Sequence, residues 1–213
     1  MGDIKALFPG FYYHGEVPSH QYIKRLFLKE LDDAQLNNPS EWNCKLSSSF
    51  DSNTNLTDFS WDVFEKAIQD SLMDMHMKLG GDINNRISMF ESWINVYNKG
   101  DMQDVHTHAG GDDCTFSCAY FLDYIPEEDA NFIFYHPDQK VHLGNFSKYY
   151  PVHTTWFPEV KEGDIIIFPA YQHHQVSMQK SDHKRITISA NFRLTGNKYI
   201  PTQQEMIDRR KAS

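Results

Sequence analysis

The chain changes its hydrophobic rhythm part-way along. After Ser19, residues Tyr22, Ile23, Leu26, Phe27 and Leu31 fall on one helical face, and after Ser60 a second stripe runs through Phe64, Ile68, Leu72, Met75 and Leu79 until Gly80-Gly81 ends it. Two amphipathic helices are expected there, the second with Ser60 as its N-cap. Between them, residues 37–58 are rich in Asn, Ser, Thr and Asp without a sustained period, and read as loop or ragged strand. Residues 1–16 mix aromatics with Pro and Gly and read as an edge strand or packed arm.

From Arg86 onward the pattern shortens. The runs ISMFESWINVY, CTFSCAYFLDY, NFIFYHP, TTWFPEV, GDIIIFPA, HQVSM and RITISANFRL are rich in Ile, Val, Phe, Tyr and Trp and are punctuated by Gly, Pro, Asp and Asn. With no helical segment between them, they predict an antiparallel sandwich or barrel. The expectation is a mostly β fold with N-terminal helices in a single domain spanning 1–213. Residues 1–84 give helical support, 85–195 form the β core, and 196–213 are a polar tail.

Composition narrows this picture in three ways. A chain of 213 residues is long enough to bury a real core. Its formal charge of -9 argues against a surface built for nucleic-acid phosphates or anionic lipid. No apolar run approaches the roughly eighteen residues of a membrane span, and the start MGDIKALFPG lacks a basic-then-apolar leader. Three cysteines, Cys44, Cys114 and Cys118, lack CxxC spacing and fit a reducing compartment, so a cytoplasmic location is expected. Cys114 and Cys118 flank an expected strand and read as small buried residues.

The candidate chemistry lies in histidines at two places. His106 and His108 stand two apart on a strand-like run, so both can reach one point, and His174 follows in a second run. Together they suit a divalent metal with open positions. The other histidines, among them His14, His20, His76, His142, His153 and His183, read as hydrogen-bonded or surface residues. Arg185 opens a run in which Ile186, Ile188, Ala190 and Phe192 share one face and Arg185, Thr187, Ser189 and Asn191 the other. A guanidinium on the inner face needs an anionic partner, and a carboxylate ligand held with Thr187 beside it satisfies that need.

The succession WxNxYxxGDxxxxHxH, CAYFLDY, GDIIIFPAYxHHxV and RITISANF resembles the iron(II)- and 2-oxoglutarate-dependent oxygenases. More narrowly, it is similar to an uncharacterised group of them found in bacteria and phages, and the similarity covers roughly residues 85–195. It implies a double-stranded β-helix (a cupin-like jelly roll) with iron at one mouth. By the resemblance, His106 is the first iron ligand and His174, not His173, the distal one. Arg185 holds the distal carboxylate of 2-oxoglutarate with Thr187, Tyr97 bonds the cosubstrate, and Asn95 and Ser117 are further cosubstrate candidates. Such oxygenases usually carry a carboxylate where His108 stands. The third ligand is then either His108, which its spacing favours, or Asp112 or Asp113 from the following loop. Tyr120, Tyr124, Trp156 and Phe157 are candidates for the substrate side, although core packing is the commoner role of such aromatics. The activity implied is hydroxylation of a small molecule or protein side chain, with O2 consumed and succinate and CO2 released. The alternative class is a cupin-like metal protein that uses the barrel without 2-oxoglutarate.

Overall fold

The structure is a computed structural model, and it describes residues 10–39, 41–50, 59–109, 114–137, 145–149 and 153–197. Helix α1 (His20–Asp33) buries His20, Ile23 and Phe27. Tyr22, expected on that stripe, is 54% exposed, because the buried face is narrower than the apolar pattern. Helix α2 (Trp61–Lys78) buries Phe64, Ile68, Leu72 and Met75, whereas Leu79 lies beyond the last turn and is exposed. Gly80 adopts φ +75°, a left-handed conformation that a side chain would resist, and this stops the helix. Ser60 stands at the N-cap position, but its side chain does not cap α2. Its hydroxyl and its backbone N–H both donate to the carboxylate of Glu30, tying the start of α2 to α1.

Among the described residues, every strand pairing is antiparallel. The larger sheet has the order β1 (Tyr13–Glu16), β9 (Asp164–Pro169), β6 (Phe116–Asp123), β11 (Arg185–Thr195), β4 (Arg86–Tyr97), β3 (Ser47–Ser48). The smaller has the order β2 (Cys44–Lys45), β5 (Met102–His106), β10 (His174–Val176), β7 (Phe132–Tyr135), β8 (Thr155–Trp156). Consecutive strands change sheets everywhere except between β3 and β4 and between β7 and β8. No described helix is long and apolar enough to cross a membrane.

The alternation along β11 separates two environments. Ile186, Ile188, Ala190 and Phe192 pack with Phe27, Phe64, Ile68 and Leu72 in a core between the larger sheet and the helices. A second core, with Tyr97, Phe121, Phe132, Phe134, Phe168 and Val176, fills the space between the sheets. Strand β9 feeds both: Ile165 and Ile167 face the helices, Ile166 and Phe168 the smaller sheet. Its continuous apolar run has this cause, since a strand covered on both faces has no polar side. Each large side chain so buried contributes about 1.5–3 kcal/mol before entropy is counted. The inter-sheet layer is where the larger sheet's polar, inward-facing residues must be accommodated.

Candidate active site

Two strands of the smaller sheet set the geometry. His174 in β10 pairs directly with His106 in β5, and a register shift follows before Val176 meets Gln103. The ring centroids of His106 and His174 lie 4.1 Å apart, those of His108 and His174 5.1 Å, and those of His106 and His108 5.4 Å. One ring nitrogen from each falls within 4.8 Å of the others. Strand β5 ends at His106, so His108 lies just beyond it and not on the strand as its spacing predicted. Its backbone N–H donates to Ala170 O at 2.9 Å, and its ring stacks on Trp93 at 5.8 Å, which together turn it toward the other two.

Each imidazole is held by its other nitrogen. His106 Nδ1 lies 2.8 Å from Asp104 O, His174 Nδ1 2.9 Å from Gln172 O, and His108 Nδ1 2.8 Å from Asn191 Oδ1. All three partners only accept, so each Nδ1 carries the proton and each Nε2 presents a lone pair. Burial pushes all three below the ordinary histidine range, His174 well below it and His108 to about 4 with a further contribution from His106. The rings are therefore neutral at pH 7. Three convergent neutral imidazoles with free Nε2 atoms form a donor set suited to a divalent transition metal.

Asn191 links this cluster to the larger sheet. Its Oδ1 also accepts from Ser117 Oγ at 2.7 Å, and its Nδ2 donates to Glu91 Oε2 at 2.6 Å. It shares the inward face of β11 with Arg185, Thr187 and Ser189.

Arg185 is fully buried. None of its three nitrogens meets hydrogen-bond geometry with a described residue, although the Tyr97 hydroxyl lies close enough to interact weakly with it. Its guanidinium carbon lies 4.8 Å from the Tyr97 ring centroid, 5.6 Å from Phe121 and 5.7 Å from Tyr124. Burial lowers its pKa, with Tyr97, Tyr124 and Asp129 opposing the shift electrostatically, yet a guanidinium stays charged at any working pH. Tyr97 OH donates to Gln103 Oε1 at 3.0 Å instead, and burial drives its pKa up to about 12, so it remains a neutral donor. A narrow internal slot is lined by the three histidines, Arg185, Tyr97, Thr187, Ser189, Gln103, Phe132 and Phe168.

The remaining candidates fall as follows. Asn95 is buried and its Nδ2 donates to Ser189 Oγ at 3.3 Å, while Ser117 bonds Asn191, so both stand behind the slot's lining. Asp112 and Asp113 lie outside the described residues. Tyr120 belongs to the helix-side core, bonded to His20 Nδ1 at 2.7 Å. Tyr124 packs against Phe121 and Arg185, and Trp156 and Phe157 are each about half exposed. Phe132 and Phe168 pack on His174 and Trp93 on His108, while Trp93, Trp42 and Phe50 border a wider cavity of about 340 Å³. Sequence reasoning assigned those three no role, nor Gln103. Asn191 and Ser189 were placed on the correct face by their alternation, but nothing in the sequence pointed to the bonds they make. Cys118 is buried as expected, whereas Cys114 lines the wider cavity.

Residues 91–191 match the family described as "Putative 2OG-Fe(II) oxygenase", and this segment carries His106, His108, His174, Arg185 and Asn191. No curated protein matches the chain in sequence. Among solved structures, a Pseudomonas putida prolyl-4-hydroxylase is similar at TM-score 0.58 and 14% identity, over 88% of this chain and 94% of that one. HygX from Streptomyces hygroscopicus, determined with nickel, 2-oxoglutarate and hygromycin B bound, is similar at 0.59 and 12%, over 86% and 83%. SnoK, a non-heme α-ketoglutarate-dependent carbocyclase from nogalamycin biosynthesis, reaches 0.61 and 13%, over 94% and 86%. At these identities the likeness is one of fold. The family match covers the segment that carries the site, so residues 91–191 are similar in sequence to the 2-oxoglutarate- and iron(II)-dependent oxygenases, and the fold agrees with that likeness.

Proposed function

We propose that the chain is a single jelly-roll unit that hydroxylates a small molecule or a protein side chain, using Fe(II) held by His106, His108 and His174 and 2-oxoglutarate anchored by Arg185. The observation that carries this reading is Arg185: a fully buried cation without a hydrogen-bonding partner among the described residues, lining the same slot as three metal-ready imidazoles. An isolated buried charge is heavily penalised, so a group kept in that condition belongs with an anion that arrives from outside. The fork of a guanidinium matches a carboxylate in a way no neutral side chain does. HygX, with nickel and 2-oxoglutarate bound, supports the cofactor assignment. Substrate type is open between the classes its relatives use: HygX holds hygromycin B, and a Trichoplax adhaerens prolyl hydroxylase is similar in its complex with a peptide.

The residues divide the work. The Nδ1 bonds of the three histidines fix their orientation, so that Nε2 meets the metal without reorganisation. Arg185 and Thr187 would bind the far carboxylate of the cosubstrate, and Tyr97, kept neutral by burial, would add an uncharged donor. Asn95 and Ser117 would hold Ser189 and Asn191 from behind. Phe132 and Phe168 exclude water from the slot, which strengthens every polar contact within it. The slot measures about 20 Å³, little more than one water, so cosubstrate binding has to displace side chains around it. When bound, iron and 2-oxoglutarate supply the oxidising chemistry, with O2 consumed and succinate and CO2 released.

Anaerobic titration of Fe(II)-loaded protein with 2-oxoglutarate tests the reading through the weak visible charge-transfer band of the chelate. Wild type should develop the band, Arg185→Ala should require far more cosubstrate, and His174→Ala should not retain iron. Equal responses from wild type and Arg185→Ala would refute the cosubstrate assignment and favour a metal protein that does not use 2-oxoglutarate.

A further inference from the structure

The wider cavity beside the histidines is built for an occupant with particular chemistry. Its apolar walls are Trp42, Phe50, Phe90 and Trp93. Trp42 and Phe50 lie 4.5 Å apart between centroids, Phe50 and Trp93 5.3 Å at 73°, and Trp42 and Trp93 6.1 Å at 67°. Rings from the 42–50 segment thus meet β4 at steep angles and form a corner, not a flat stack. His106 and His108 form part of the same lining, so the cavity opens onto the metal-ready imidazoles. At about 340 Å³ it falls at the small end of ligand pockets, on the order of ten water volumes.

Among the described residues of that lining Glu91 is the one carboxylate, and none is Lys or Arg. Asn191 Nδ2 holds Glu91 Oε2 at 2.6 Å, which fixes the carboxylate, while Oε1 has no protein donor among the described residues. Arg193, whose guanidinium carbon lies 5.0 Å from the Phe90 centroid, is not part of the lining. A half-buried carboxylate with one oxygen fixed and the other open calls for a donor from a ligand. A cation gains most there, because the ring faces nearby attract positive charge and the net charge of -9 draws cations toward the protein.

We propose that this cavity is the primary-substrate pocket and that it selects an organic cation, a protonated amine or guanidinium on a compact apolar body, with Glu91 receiving the charge and Trp42, Phe50 and Trp93 enclosing the body. The inference rests on the oxygenase reading only for the word substrate; the cavity and its carboxylate stand without it. The site accounts for the position of Asn191, which bonds His108 and Glu91 at once and so sets the distance between the bound charge and the metal.

The test uses the full chain, metal-loaded and anaerobic, with intrinsic tryptophan fluorescence as readout because Trp42 and Trp93 border the cavity. Three probes of matched shape are titrated: phenethylammonium, neutral 2-phenylethanol and anionic 3-phenylpropionate. The cation should quench saturably and bind about tenfold or more tightly than either of the others, the factor expected of one charge-assisted bond at a half-buried site. Glu91→Gln should erase that preference while keeping an acceptor for Asn191, and Glu91→Asp should retain it. Equal binding of the three probes, preference for the anion, or a cation preference that survives Glu91→Gln would overturn the proposal. The chelate band recorded in the same wild-type samples separates the two readings. A band without cation preference refutes the pocket's specificity alone, whereas cation preference without a band refutes the oxygenase and leaves an organic-cation site.

Discussion

Replacing Arg185 by methionine should stabilise the protein while disabling it. The guanidinium is fully buried, and none of its nitrogens is hydrogen-bonded among the described residues. Burying such an ion costs several kcal/mol even after relaxation, and exchanging buried ionic groups for well-packed apolar ones of similar volume often stabilises by about 1–4 kcal/mol. Ring contacts at 4.8, 5.6 and 5.7 Å already offset part of the cost. We therefore take the lower part of that range, roughly 1–2 kcal/mol. For a chain of this length that corresponds to a Tm rise of about 2–8 °C. The assay is thermal unfolding of Mn(II)-loaded protein with and without 2-oxoglutarate. At about a hundred times Kd the cosubstrate should add about 2.7 kcal/mol to wild type, some 5–10 °C, and almost nothing to the variant. The order of stability should then invert when 2-oxoglutarate is added. If Arg185→Met without cosubstrate melts well below wild type, the guanidinium is already satisfied inside the fold, and the argument for an absent anionic partner fails.

Three further outcomes follow from other parts of the structure. Asn191→Ala removes the acceptor that orients His108, and should weaken metal affinity about 10–100-fold in competition with a chelator, while His106 and His174 keep their own partners. Ile188→Ala opens a cavity on the helix side of β11 and should cost about 2–5 kcal/mol in urea unfolding, yet leave the 2-oxoglutarate Kd close to that of wild type. Near α1, burial alone would raise the pKa of Glu162, but its bonds to Lys24 and His20 outweigh that and lower it. A carboxylate with a lowered folded-state pKa adds stability above its unfolded value of about 4.3 and loses it as pH falls through the folded one. Lys24→Met should flatten that acid limb of the stability curve, measured by urea unfolding between pH 3 and 7, and an unchanged slope would rule the pair out as its source.

Much of the fold could be read from periodicity because the periods report burial. The α2 stripe marks the face that meets the sheet, and the alternation along β11 marks its two sides residue by residue, since Ile188 and Thr187 do lie in different layers. What escaped was side-chain geometry with no periodic signature. Ser60 looks like a cap in sequence, but a carboxylate from α1 competes for its hydroxyl. Tyr120 could be read from sequence either as core, the commoner role, or as a substrate-side aromatic, and strand parity decides for the core by turning it toward the helices, where it bonds His20. Trp42 and Phe50 come from a segment without period, and only the folded chain brings them to Trp93. Gln103 escaped for a related reason: the irregular register between β5 and β10 brings it into the slot beside Tyr97, and counting back from His106 cannot foresee that.

One strand explains why stability and chemistry can be altered independently here. The outward residues of β11 are anchored by Phe64, Ile68 and Leu72, so the strand is held in place from the helix side whatever occupies its inner face. Its inner face can then carry groups that a core would ordinarily reject: a guanidinium without a hydrogen-bonding partner among the described residues, a threonine, a serine and an asparagine. Their spacing along one rigid ladder orders the site, with Arg185 and Thr187 at the slot and Asn191 at the junction of slot and cavity. A helix-side defect should therefore lower Tm without moving ligand affinities, and an inner-face substitution should weaken ligand binding without lowering Tm. Ile188→Ala and Arg185→Met make that contrast within a few residues of one strand, and an Ile188→Ala protein with weakened 2-oxoglutarate binding, or an Arg185→Met protein that melts below wild type, would mean that the two faces are not energetically separate.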